Sequence, residues 1–136
     1  MTIKNTGKMI AAMTPELRPG RWVFCCTHNP KTIADTAPEA LAVIQEDEGV
    51  TLVLPPDVAA AHGFAASLCF KQITLTVFSD LEGIGLTAAV AKALTIAQIP
   101  CNVIAAFHHD HILVPESVAD QAMDTLQALQ RSSQSE

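Results

Sequence analysis

The sequence predicts an α+β protein on a ferredoxin-like plan, a βαββα unit with a mainly antiparallel sheet and helices on one face. Three observations in residues 72–129 carry this expectation. Apolar and polar residues alternate over 72–78, the signature of a half-buried strand. Leu86, Val90, Ala93, Leu94 and Ala97 then recur at helical spacing, with Lys92 and Gln98 off the stripe. Finally, the apolar runs 101–107 and 111–114 are separated only by His108-His109-Asp110. That link is too short for a crossover, so the two strands form a hairpin. The far face of such a sheet needs a cover, from the first half of the chain or from a second subunit.

The elements follow in chain order. Residues 10–17 have the character of a short helix or turn ending before Pro19-Gly20. The run 21–27 (RWVFCCT) is a strand rich in aromatic and β-favouring residues. Residues 28–48 are less regular, with a helical turn expected at 39–44 starting on Pro38 at its first position. Glu46, Asp47, Glu48 and Gly49 make a polar turn into a second strand, 50–54, which Pro55-Pro56 stops. A short Ala-rich helix at 57–62 has Asp57 as its N-cap and Gly63 just past its end. After the strand at 72–78 comes a loop, 79–85, and a helix that Pro100 terminates. Pro115 and Ser117 open a last helix with Val118, Ala122, Leu126 and Leu129 on its buried stripe. The chain is thus divided into an N-terminal half, 1–70, a second half, 71–131, and a polar tail, 132–136, expected to be disordered.

Composition narrows the function. The chain has 136 residues, enough for one ordinary domain or two very small halves. Hydrophobic residues make up 49% and charged residues only 16%, so some apolar surface should meet a partner, most simply a second copy in a homodimer. The net charge of −6, from 8 basic and 14 acidic residues without a basic run, argues against nucleic acid and against anionic lipid surfaces. Neither a signal-peptide pattern nor a membrane-length apolar run is present, so a soluble, cytoplasmic protein is expected. Cys25 and Cys26 are adjacent, which suits neither a normal disulfide nor a zinc knuckle. With Cys69 and Cys101 they read as small buried hydrophobes.

The loop at 79–86 is the strongest candidate site. Gly83, Gly85 and Ala88 match a relaxed dinucleotide-binding fingerprint. The context fails it, because the next strand turns back at once and no acidic residue ends it. The physics of the loop survives. Gly83 and Gly85 let backbone approach a ligand, and the free amides at the helix start, near Leu86, favour a carboxylate. Ser79 adds a hydroxyl, and Asn102 on the neighbouring strand offers donor and acceptor. The plainer reading is a tight turn with Asp80 and Glu82 as its solvated surface.

Two other chemistries were open to this sequence. His108, His109 and His111 around Asp110 are suitable ligands for zinc or another transition metal, but no distant third ligand stands out; Cys101 and His62 are the nearest options. The plain alternative is a polar hairpin turn. Ser79-Asp80 and the histidines invite a hydrolase reading, yet no nucleophile elbow is present. No catalytic residue and no cofactor is expected.

The segment from Ile73 to Pro115 resembles an ACT domain. The motifs that carry the resemblance are residues 81–86, IPCNVI at 99–104 and DHILVP at 110–115. Trp22-Val23-Phe24 and residues 48–54 extend it, more loosely, into the first half, which reads as a degenerate ACT-like unit. The whole chain is similar to small stand-alone bacterial proteins built of tandem ACT-like halves, of uncharacterised function. The resemblance implies a regulatory, amino-acid-binding fold related to modules of aspartokinases and of eukaryotic arginine sensors. It implies a ligand held by Ser79, Gly83, Gly85 and Leu86, with Asn102 and Ile104 as the far wall. Asp110 would match an acidic position near the ligand's side chain, and Asp80, Glu82 or Asp110 would meet an amino group. The expected function is therefore an amino-acid sensor without catalytic activity. A metal-dependent protein using the histidines and a structural protein that has lost its ligand are the alternatives.

Overall fold

A computed structural model of the chain describes residues 6–65, 67–77 and 84–134. In chain order they form α1 (Thr6–Ala12), β1 (Pro15–Leu17), β2 (Val23–Thr27), α2 (Pro30–Thr36), β3 (Ala42–Glu46), β4 (Gly49–Leu54) and α3 (Pro56–Ala61). There follow β5 (Phe70–Leu75), α4 (Leu86–Ile96), β6 (Asn102–Ala105), β7 (Asp110–Pro115) and α5 (Ala119–Gln134). The chain packs as two compact units. One is Gly20–Phe70; the other joins Met1–Pro19 to Lys71–Glu136.

In the second of these the strand order is β1-β5-β7-β6. The β6–β7 hairpin sets Asn102 opposite Leu113 and Ala105 opposite Asp110. Because side chains alternate along a strand, Ile73, Leu75, Ile112 and Val114 all face one way. They meet Val90 and Leu94 of α4, Ala122 and Leu126 of α5, and Met9 and Ile10 of α1 in one core. This is the expected ferredoxin-like plan, with helices on one face. Its edge strand comes from far upstream: β1 lies antiparallel to β5, with Pro15 opposite Leu75 and Leu17 opposite Ile73.

That edge corrects the expectation of a helix or turn over 10–17. The helix ends at Ala12, and Pro15 to Leu17 is extended. A proline without an N–H is tolerated on an edge strand, where one side of the ladder has no partner. The polar tail also differs from expectation, since α5 runs on through Gln134. Its last turns are tied down: the Gln130 and Gln134 amides each donate to the Ala11 carbonyl at 2.9 Å.

The Gly20–Phe70 unit has a three-stranded antiparallel sheet, ordered β2-β4-β3. Its core gathers Val23, Cys25, Leu52, Leu54 and Ala59. Cys25 is buried and Cys26 exposed, as strand alternation requires, and burial pushes the Cys25 thiol up. Phe70 closes the unit through a backbone pair with Trp22. Residues 28–48 are far more regular than the sequence suggests. The Asn29 side chain accepts from the Lys31 and Thr32 amides and starts α2 at Pro30. The helical turn expected at 39–44 is not formed. A 3-10 turn, Ala37–Glu39, leads instead into β3, whose ladder with β4 overrides the local preference. In α3, Pro55 rather than Asp57 holds the N-cap position, and Gly63 follows the helix at φ +83°.

Candidate functional site

Helix α4 begins where the chain must turn sharply out of the loop. Gly85 is its N-cap, at φ +106° and ψ −20°, a left-handed conformation that disfavours any side chain. Its carbonyl accepts the first helical bond from the Ala89 amide at 2.9 Å. Leu86 turns its side chain into the core, at 4% exposure, so its backbone rather than its side chain is what the site can use. The first amides of the helix have no intrahelical partner, and they carry the positive end of its dipole. Ser79, Asp80, Glu82 and Gly83 lie outside the described residues.

An unforeseen residue braces this corner. The Thr6 hydroxyl, on α1, donates to the Ile84 carbonyl. A Cβ placed on Gly85 would stand 2.8 Å from the Thr6 hydroxyl oxygen and 2.9 Å from its methyl carbon. Glycine at 85 is therefore required twice, by its dihedral angles and by the threonine against it. No local pattern could reveal a partner 78 positions away.

The remaining candidates do not share one surface. Asn102 and Ile104 sit opposite Leu113 and His111, while Asp110 sits opposite Ala105. Cross-strand partners project to the same face and successive residues to opposite faces. Asp110 thus lies on the helix-covered face with Ile112. Asn102 and Ile104 lie on the other, so the far wall expected to combine Asn102 with Asp110 is split by the sheet. The Asn102 amide is also engaged, donating to the Leu113 carbonyl at 3.2 Å.

Asp110 is buried, at 8% exposure. Burial raises its carboxyl above the ordinary value, while His111 and His109 pull it back down. His111 is held below its ordinary value, chiefly by burial and by His109, with Arg18 adding to the fall and Asp110 opposing it. Its Nδ1 lies 3.0 Å from both Gln72 Nε2 and Thr74 Oγ1. The alternation over 72–78 predicts a half-buried strand whose far face needs a cover, without saying what meets its polar side chains. Gln72 and Thr74 are buried, and the imidazole satisfies them. A neutral ring with its proton on Nε2 can accept at Nδ1 from either side chain; a protonated ring must donate from Nδ1, which suits Thr74 and forces Gln72 to present its oxygen.

The His109 ring lies 6.4 Å from those of both His108 and His111, and His108 also leans on the exposed Phe107, ring centres 4.9 Å apart. Among the described residues no group of three or more His, Cys, Asp or Glu side chains is placed to hold a metal ion. Among them, too, no helix is long and apolar enough to cross a membrane.

Two family models, both described as ACT domain, match the chain, over residues 2–71 and 71–128. A solved structure of a Vibrio cholerae protein of unknown function, described as a possible transport protein, is 41% identical. The match covers 88% of this chain and 91% of that one, with a TM-score of 0.80. The regulatory subunit of aspartate kinase from Thermus flavus is 9% identical, over 87% of this chain and 97% of that one, with a TM-score of 0.64. A protein from Agrobacterium tumefaciens is 15% identical over 85% and 87%, also with a TM-score of 0.64. At such low identities these last two speak for the fold alone. No curated protein matches the chain.

Proposed function

Because the chain belongs to the ACT-domain family, we propose that it is a small-molecule-binding regulatory protein, with an amino acid as its ligand and no catalytic activity of its own. The observation that carries this reading is Gly85. It opens α4 in a left-handed conformation with no side-chain cap, at the positive end of the helix dipole, where the first amides lack intrahelical partners. The amides of Gly85 and Leu86 would hold the ligand's carboxylate, with Ser79 and Gly83 completing the cradle. Asp80, Glu82 or Asp110 would meet the amino group. A buried carboxyl with a raised pKa becomes a favourable anion once an ammonium group is beside it. Asn102 and Ile104 lie on the sheet face opposite that of Asp110, so this reading leaves them out. The two ACT-domain models that match the chain support a regulatory role. The signal would pass through a partner protein. The protein would work as a homodimer, for which the edge strand β3 offers exposed Val43 and Ile44.

A thermal-unfolding panel of the twenty amino acids tests the reading. A ligand at a hundredfold over its dissociation constant should stabilise by roughly 2.7 kcal/mol. One or a few amino acids should shift the wild type, and Asp110→Asn should lose that shift. If no amino acid moves the transition of wild-type protein, the sensor reading fails.

A further inference from the structure

The Gly20–Phe70 unit carries a cleft of about 190 Å³ in which none of the residues assigned to the amino-acid site takes part. Val23 of β2, Ala59 and Ala60 of α3, and Phe64 beyond it give it an apolar wall. The small side chains of Ala59 and Ala60 leave open the space that a larger residue would fill. Phe64 is fixed by the turn after α3, its amide donating to the Ala59 carbonyl at 3.0 Å. The polar side is Arg21, whose guanidinium donates to the Cys69 sulfur at 3.3 Å. A second hollow shares Arg21 and Pro56 and adds Trp22 and Asp57.

We propose that this cleft binds a short-chain aliphatic monocarboxylate. The guanidinium would take the carboxylate as a charge-assisted donor, exchanging its contact with the Cys69 sulfur for the anion. The tail would lie on Val23, Ala59, Ala60 and Phe64. Size sets the chain length: the volume lies below the roughly 300–1,000 Å³ of clefts for drug-sized ligands. At roughly 30 Å³ per displaced water, it takes a branched acid of about five carbons. Charge sets the valence. Asp57 lines the adjoining hollow together with Arg21, and its negative charge there disfavours a second carboxylate. This site is independent of the amino-acid reading, because it uses neither Gly85 nor Asp110.

Trp22 is the single tryptophan of the chain and lines the adjoining hollow, so its emission reports on the cleft. The full chain is titrated with 3-methylbutanoate, 3-methylbutanamide and succinate, with isothermal calorimetry on the same samples so that a silent indole hides nothing. Saturable binding of 3-methylbutanoate is expected, at least tenfold tighter than of the amide or of succinate. Arg21→Met should weaken it at least tenfold. Ala60→Leu, an exchange between two good helix formers at an exposed position that fills the apolar wall, should do the same without lowering the unfolding temperature. Absence of saturable binding overturns the proposal. So does equal binding of acid and amide, or an Ala60→Leu protein that binds like wild type. Should Arg21→Met fail to fold, the amide comparison and Ala60→Leu decide alone.

Discussion

Replacing Gly85 by alanine puts a number on how tightly the loop corner is built. Holding a non-glycine residue at φ +106° costs about 1–3 kcal/mol. The new Cβ would also stand 2.8 Å from the Thr6 oxygen and 2.9 Å from its methyl carbon. Unstrained carbon contacts lie at roughly 3.5–4.0 Å, so Thr6 must move. Its hydrogen bond to the Ile84 carbonyl then goes, at about 0.5–1.5 kcal/mol. Gly85→Ala should therefore destabilise by about 1.5–4.5 kcal/mol, the sum of those two ranges. Thr6→Ala alone should cost only the hydrogen bond. In the double mutant that bond is lost once rather than twice, and only the Thr6 Cβ remains near, at 3.4 Å. The cycle should thus show a favourable coupling of about 0.5–1.5 kcal/mol, measured by urea unfolding under circular dichroism. Additivity of the two single changes, or a Gly85→Ala protein as stable as wild type, would refute the described corner.

Other perturbations follow from the same fold. Asn29→Ala removes the acceptor of two α2 amides and should cost about 0.5–2 kcal/mol, with Asn29→Gly milder, read by urea unfolding. Leu94→Ala opens a cavity at a fully buried position and should cost about 2–5 kcal/mol in the same assay. Asp110 is held above its ordinary 3.8, so the stability tied to its proton is present below that pH and is lost as pH rises through the folded value. Asp110→Asn should thus be more stable than wild type at pH 7, with the advantage shrinking toward pH 4. His111 is held below its ordinary 6.5, so its contribution is present above that pH and is lost as pH falls through the folded value. His111→Gln should accordingly lose less stability than wild type between pH 7 and pH 5 in chemical denaturation.

What the sequence revealed tracks how local each cause is. Helices α4 and α5 carry their own apolar stripes, and the β6–β7 turn is short enough to dictate a hairpin, so all were legible. Helix α2 has no such stripe; its only local marks were Asn29 and Pro30, an N-cap followed by proline at the first position. Strand β3 is an edge strand, largely exposed on both sides, and so lacks alternation. Strand β1 is extended only because β5, encoded far downstream, is there to pair with it. At the site, glycine at 85 could be read from the loop-to-helix transition. Thr6 could not, and neither could the burial of Gln72 and Thr74 around His111, since each depends on pairing across the fold.

The upstream origin of β1 and α1 has a consequence for how the protein is made. Residues 6–17 leave the ribosome well before the strand and helices they pack with, which come only after residue 70. The intervening Gly20–Phe70 unit is contiguous and can assemble during synthesis. The N-terminal segment must wait, its Met9, Ile10 and Met13 still solvated, until β5 and α5 have been translated. A deletion or bulky fusion there would strip β5 of its edge partner and leave an open ladder for intermolecular pairing. An inserted linker joining the C-terminus to residue 6 would instead place α1 directly after α5, where Gln130 and Gln134 already reach Ala11, and remove the wait.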